Sequence, residues 1–459
     1  MKYDVVVIGA GASGMMAAIQ AAKSGRSVAV LEILARPGKK ILVTGNGKCN
    51  LTNYKLDGSC YHTDSGSTED IMGVIERFDS KAVTEFFREE GMLVRDRDGY
   101  VYPYSEQAAS VLDCLRQCLV RYGVELICGC EIASVKKRGG EFTVSGTVRN
   151  VEAENKRADA RKEGNKKKVK EISAAESVPA RKFSCISDRL IVATGSAAGG
   201  VCDQGAGMAG KQTGYTHGTE KSNSVLGYDI ARSFGHHIIK PLPALVALGC
   251  EESFFKEISG VRAKGEIRLL IDGRCAASDV GELQLTDNGI SGIPVFQVSR
   301  YAVAALDAGK SRVQAELDFM PEYGEKELIA YIDRIKADMA GAGKKHEMIK
   351  KGNTPSLTDI LTGFVNKKLM NLFVKLSGGQ TESLVRIIKH FKVTVINSKG
   401  ITSAQVCRGG VRLDEVDTAT MESKLCHGLY FCGEILDVDG SCGGYNLQWA
   451  WSSGWIAGR

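Results

Sequence analysis

The apolar and polar positions change period twice within the first 32 residues. Val5 to Ile8 is an unbroken apolar run, residues 13–24 carry helical spacing that stops at Gly25, and Ser27 to Glu32 is again strand-like. This predicts a complete βαβ unit. Helical periodicity returns over 68–90 and over Ser105 to Tyr122, followed by a strand at Val124 to Cys128 and a hairpin over Glu131–Lys137 and Glu141–Ser145 that a polar insert should split. Asp188 to Gly195 predicts a buried parallel strand ending on a small-residue turn.

After a glycine-rich stretch, 195–218, strands are expected at Ala244–Cys250, Ile267–Ile271, Glu282–Thr286 and Val313–Phe319, with a helix over Pro294–Ala308. Residues 325–390 are helical in pattern: Glu325–Met339, Ser356–Phe373 and Glu382–Phe391. Strands at Lys392–Ile396 and Ala404–Cys407 return, Gly428 to Glu434 is a buried strand entering a turn, and a small-residue helix starts near Gly443. The order predicts an α/β chain of three units: 1–200 with 411–459, a β-rich unit of 201–321 with 392–410, and a helical unit of 322–391. No internal repeat is evident.

With 43% hydrophobic and 25% charged residues the 459-residue chain has an ordinary globular composition. No run approaches about 18 apolar residues, and Met1 to Asp4 leads straight into the first strand, so the expected location is the cytoplasm, away from membranes. The net charge of +6 is mostly local: residues 149–182 hold 11 Lys and Arg against six Asp and Glu. Nucleic acid is therefore not expected as a partner; the insert reads as a solvated extension, with an acidic partner as the alternative. The 14 Cys lie scattered in apolar contexts and read as reduced thiols, and neither Cys114/Cys118 nor Cys128/Cys130 has the companions that a metal site needs.

Gly9-Ala10-Gly11-Ala12-Ser13-Gly14 stands between strand and helix, with Glu32 ending the next strand. Gly9 permits the tight turn, Gly11 admits a pyrophosphate to the backbone, Gly14 lets helix and strand pack, and Glu32 suits a ribose diol. A second match, Gly205 to Gly210, follows no apolar strand and opens no helix, so it reads as a glycine loop, leaving no second Rossmann unit for a nicotinamide. The loop Lys39 to Asn53 adds Lys40, Thr44, Asn46, Gly47, Lys48, Cys49 and Asn50, whose amides and cations suit diphosphate oxygens and a flavin edge. Thr194 and Gly195 end the parallel strand. Gly433, Glu434 and Asp437 form an acidic turn, and Gly443, Gly444, Tyr445, Asn446 and Leu447 open the last helix, whose N-terminus favours negative charge.

These passages, with Tyr102-Pro103-Tyr104-Ser105, Leu242 to Val246, Gly281 to Thr286, Gly409-Gly410-Val411, Thr420 to Lys424 and Gly433 to Trp451, resemble the BaiN and aminoacetone-oxidase-like (HI0933-like) family of FAD-dependent oxidoreductases along nearly the whole chain. The resemblance implies a discontinuous Rossmann-like FAD domain, an inserted β-barrel-like domain and a nested helical domain. It also implies FAD, NADH or NADPH as electron donor, and a small-molecule substrate. The reaction it favours is ene-reductase chemistry, reduction of a C=C bond conjugated to an oxo group in a bile-acid- or steroid-like molecule. Oxidation of a small primary amine such as aminoacetone is the alternative, and a flavin-binding sensor or interaction protein is the non-enzymatic one. Tyr445, Asp439 and Cys442 are the candidates for a proton-handling group, and His236-His237 is expected as a surface or helix-end pair. Two departures are expected to alter only the substrate entrance and the periphery: Ser196 with the long glycine excursion after Gly195, and the length of the basic insert.

Overall fold

In the computed structural model residues 1–151, 155–156, 180–199, 223–310, 312–345, 357–361 and 363–459 are described. The second glycine match at 205–210 and most of the basic insert lie outside them.

A parallel sheet positions the cofactor turns. Strand Lys2–Ile8 lies between Val28–Glu32 and Arg181–Val192, with Glu125–Cys128 outside the former and Leu429–Phe431 outside the latter, all parallel. Its apolar runs are continuous because helices cover both faces of such a sheet. Helix Ala12–Lys23 packs on it and is crossed by the last helix, Tyr445–Ala457, through small residues. A Cβ on Gly454 would overlap the Ser13 carbonyl oxygen, and one on Gly458 would meet the Ala17 carbonyl carbon at 3.0 Å.

Several elements differ from expectation. The hairpin Cys130–Arg138/Glu141–Val148 is uninterrupted; the insert departs after Val148, which pairs with Arg181. The strand expected from Asp188 begins at Arg181, because Phe183 and Cys185 alternate inward against Val144 and Phe142 before the chain joins the parallel sheet. The insert also touches the segment that follows strand Val28–Glu32: Asn155 Oδ1 accepts from Arg36 Nε at 2.8 Å. The helical pattern of 68–90 is two helices, Thr68–Ile75 and Ser80–Glu89, because Asp79 caps the second by accepting from Ala82 N at 2.8 Å.

The chain divides into one unit of Met1–Pro241 with Val406–Arg459 and a second of Leu242–Gln405. The second contains a closed six-stranded barrel, in the order 248–250, 289–291, 274–286, 262–271, 313–318 and 391–398. Helices Glu325–Lys345, Leu357–Ile360, Lys367–Ser377 and Thr381–Lys389 lie within the same unit. The helix expected over 356–373 restarts at Lys367, where the Asn366 side chain caps it. Lys389 pairs with Asp318 at 2.7 Å and donates to the carbonyls of Met320 and Tyr323, tying the last of these helices to a barrel strand. Among the described residues no helix is long and apolar enough to cross a membrane.

Candidate cofactor site

The first glycine turn has the geometry its sequence asks for. Gly9 holds φ +102, and a Cβ there would overlap the Ala193 carbonyl; a Cβ on Gly14 would overlap the Gly9 carbonyl oxygen and touch Ala193 Cβ at 3.2 Å. Gly11 differs: a Cβ would point into space open among the described residues. That space faces the N-terminal turn of helix Ala12–Lys23, which carries no acidic residue and no side-chain cap to occupy its amides. Ala12 and Ser13 supply those amides, and the Ser13 hydroxyl donates to the Cys432 carbonyl at 3.3 Å. Glu32 is buried with its carboxylate accepting from Ala10 N at 2.8 Å and Leu34 N at 2.9 Å, which fixes it beside the turn.

The 39–53 loop folds over in left-handed steps. Gly45, Asn46, Gly47 and Cys49 have φ of 55, 54, 83 and 57°, while the Thr44 hydroxyl donates back to the Ile41 carbonyl at 2.6 Å. Burial pushes the Cys49 thiol up to about 12, so this cysteine stays neutral. The loop is joined to the C-terminal turn by Lys40, whose Nζ lies 2.5 Å from Glu434 Oε2; the Ser196 hydroxyl donates to that same oxygen at 3.3 Å. Three separate chain segments thus meet at one carboxylate. Lys48 does not join them, pairing instead with Glu106 at 3.1 Å.

Gly433 is locked at φ +78 beside Ser13, its N–H donating to the Ser453 hydroxyl at 2.9 Å. Asp437 is fully buried; its Oδ2 accepts from Asp64 N, Ser65 Oγ and Thr63 Oγ1, and burial raises its pKa. Gly443 and Gly444, at φ +136 and +94, start the last helix, and a Cβ on Gly444 would stand 2.9 Å from Asn50 Oδ1. Asn446 closes the preceding turn through both its amide atoms to Gly440, and Leu447 packs on the core. Of the proton-handling candidates, the Tyr445 hydroxyl donates to the Lys55 carbonyl at 3.1 Å and its pKa is raised by burial; Asp439 is buried in a backbone pairing with His62; Cys442 is half-buried.

FAD, the group implied by this kind of fold, needs hydroxyl acceptors and donors lying along a glycine-lined path. The residues fit it. Asn50 Oδ1, Thr194 Oγ1 and Asp437 Oδ1 are buried without a hydrogen-bond partner among the described residues, as are Ser187 Oγ and Glu252 Oε2 elsewhere; the three beside the glycine turns are groups that a polyhydroxylated ligand would satisfy. At Gly195, with φ +75, a Cβ would meet nothing within 4 Å among the described residues. Sequence reasoning missed Tyr228, on helix Asn223–Ser233. Its hydroxyl is buried without a partner among the described residues, and burial, reinforced by Cys407, Glu434 and Asp437 nearby, holds the phenol neutral. Only the adjacent Gly227 signals it: a Cβ there would overlap Thr194 Oγ1 and meet Ile435 Cδ1 at 2.7 Å.

The histidine pair does lie at a helix end, His236 N donating to the Ala231 carbonyl just past helix Asn223–Ser233, but only one of the two is on the surface. His236 is buried, T-stacked on Phe431, with Nδ1 3.0 Å from Glu415 and Nε2 2.7 Å from Ser423 Oγ; His237 alone is exposed. An apolar ring with two polar ends suits a strand junction, a use that helix-end periodicity does not reveal. No group of three His, Cys, Asp or Glu among the described residues could hold a metal ion.

The HI0933-like protein Rossmann domain model matches residues 3–160 and 152–459. The chain is 36% identical to the 3-dehydro-bile acid delta(4,6)-reductase of Clostridium scindens over 99% of this chain and 97% of that protein. It is 28% identical to the ribosomal RNA dihydrouridine synthase of Haemophilus influenzae, over 98% and 96%. Among solved structures it is similar to the 3-ketosteroid-delta4-(5alpha)-dehydrogenase of Rhodococcus jostii, at 13% identity and a TM-score of 0.46, over 100% of this chain and 97% of that one. The full-length matches show that the chain belongs to the HI0933-like family and is a flavin-dependent oxidoreductase.

Proposed function

We propose that the protein uses FAD and a reduced nicotinamide dinucleotide to saturate a C=C bond conjugated to a carbonyl in a small molecule of steroid or bile-acid type. The observation that carries the cofactor half is the set of buried, unsatisfied polar atoms, Asn50 Oδ1, Thr194 Oγ1 and Asp437 Oδ1, beside glycine turns. The similarity to a bile-acid reductase supports the reaction half. So does the dihydrouridine synthase, since the C5–C6 bond that distinguishes uridine from dihydrouridine is also conjugated to a carbonyl.

Bound FAD would supply the two-electron hydride chemistry. The chain's own part is positioning. Backbone amides of Ala12, Ser13 and Gly14 would hold diphosphate oxygens, Glu32 the adenosine ribose, and Asp437 and Thr194 hydroxyls of the ribityl chain. The opening of helix Tyr445–Ala457 at Gly443-Gly444, with no acidic residue in its first turn, would favour negative charge at the flavin's pyrimidine edge. The neutral phenols of Tyr445 and Tyr228 are candidate proton donors near the acidic turn.

The test is anaerobic stopped-flow spectroscopy of the FAD-loaded protein. Bleaching of the flavin band by NADPH or NADH, followed by its recovery on adding an oxo-steroid enone, is the expected result. Bleaching by a small primary amine alone would replace this reading with an amine oxidase, and failure to bind FAD would remove it.

A further inference from the structure

Strands Val94–Arg97 and Tyr100–Pro103 form a hairpin whose charge the cofactor site does not use. Three cations converge on Glu106: Arg95 at 3.1 Å, Lys48 at 3.1 Å, and Arg97. At Glu106 one carboxylate faces three cations, while Asp96 and Asp98 of the same hairpin lie with Lys55. Glu106 itself sits at φ +54, a left-handed conformation unfavourable for a residue with a Cβ, and Lys48 holds its carboxyl below the usual range. The Arg95 guanidinium lies 4.2 Å from the ring centre of Tyr104, and its Nε is buried without a partner among the described residues. Tyr100 and Tyr104 are both exposed.

This surface is joined to the cofactor elements by the backbone. Leu51 N donates to the Val101 carbonyl at 2.8 Å, and a Cβ on Gly443 would meet the Tyr100 ring at 3.1 Å. The hairpin is therefore packed between the 39–53 loop and the start of the last helix.

We propose that Lys48, Arg95, Arg97 and Tyr104 form the docking site for the nicotinamide dinucleotide, its phosphates on the cations and a planar ring on the tyrosine. The inference rests on the reading that such a dinucleotide is the electron donor, which gives up a hydride and leaves oxidised. Charge favours this occupant over a bile-acid-like carboxylate: the three cations around Glu106 face a single carboxylate, and a dinucleotide brings them at least two negative charges, a monocarboxylate only one. Exposed aromatic faces beside arginines suit heterocycle stacking. The only other glycine-rich dinucleotide pattern in the chain follows no apolar strand, so the donor needs a site of another kind.

Arg95→Gln and Arg97→Gln, each in the full chain loaded with FAD, test it. Each is expected to raise the NADPH or NADH concentration for half-maximal anaerobic flavin reduction about tenfold, the loss of one charge-assisted contact. FAD content, and reoxidation of the dithionite-reduced protein by an enone, are expected to match wild type. An unchanged half-saturating concentration in both variants overturns the docking site and leaves the reductase reading intact. Wild-type flavin that neither nucleotide reduces overturns both. Variants that lose affinity for a short single-stranded RNA but keep it for NADPH assign the surface to RNA and refute the proposal.

Discussion

Gly11 and Gly14 occupy the same turn, yet adding one methyl group to each should produce opposite effects. In Gly14→Ala the new carbon would overlap the Gly9 oxygen and press on the Gly9 carbonyl carbon at 3.1 Å and Ala193 Cβ at 3.2 Å, so helix and strand must part. Such overpacking costs about 1–3 kcal/mol, and at about 2 °C per kcal/mol for a body of this size the apoprotein should melt about 2–6 °C lower. In Gly11→Ala the methyl group enters open space, and the native φ of −83° is one that alanine adopts freely. Apoprotein stability should stay within about 0.5 kcal/mol of wild type. The methyl group would nevertheless stand where a phosphate must approach. Losing one or two charge-assisted hydrogen bonds at about 1.5–3 kcal/mol each weakens FAD by at least about tenfold. Thermal melts by circular dichroism on apoprotein, and titration of FAD by quenching of its fluorescence, separate the two effects. A Gly11→Ala protein that binds FAD as tightly as wild type would refute the assignment of this turn to the diphosphate.

Three further outcomes follow from the titrating groups. Burial raises the Asp437 pKa, so its contribution to apoprotein stability is full below the ordinary carboxylate range and is lost as pH rises through the raised value; Asp437→Asn should flatten that loss in urea melts while weakening FAD. Burial lowers the His236 pKa, so its contribution is present above about pH 6.5 and is lost as pH falls towards the lowered value; His236→Gln should flatten the acid side of the stability profile, and an unchanged slope would contradict its burial as a neutral ring. Cys49 and Cys432, both buried and pushed up to about 12, should resist alkylation at pH 8 in the folded protein while exposed Cys275 reacts, as peptide mass mapping would show.

The glycine turn, its helix and Glu32 are legible in the sequence because strand, turn and helix are contiguous and each residue acts within its own neighbourhood. The convergence of Lys40, Ser196 and Glu434 is not, since residues hundreds of positions apart meet only through sheet topology. Two missed signals are local. Asp98-Gly99 is a two-residue hairpin signal, and both residues take positive φ, 56 and 94°, yet the helical periodicity on either side obscures it. Asp79 after Phe78 is a helix-start signal inside what reads as one continuous amphipathic stretch. The point of departure of the basic insert is a matter of register: Gly139-Gly140 closes the 130–148 hairpin tightly, so the insert has to leave from its far strand.

The crossing of helix Ala12–Lys23 by helix Tyr445–Ala457 has a consequence for how the protein is made. Gly454 and Gly458 lie against the backbone of Ser13 and Ala17, so one side of the first glycine turn is built from residues translated about 440 positions later. Closing so long a loop costs about 5 kcal/mol of chain entropy, and at about 5–20 residues per second the ribosome needs roughly 20–90 s to deliver the missing piece. During that interval the first strand, helix and turn exist without their final cover. With the cofactor seated at that turn, as proposed, a nascent chain is expected to acquire it only after the last helix emerges, and chains stalled before residue 445 should remain cofactor-free clients of chaperones and proteases.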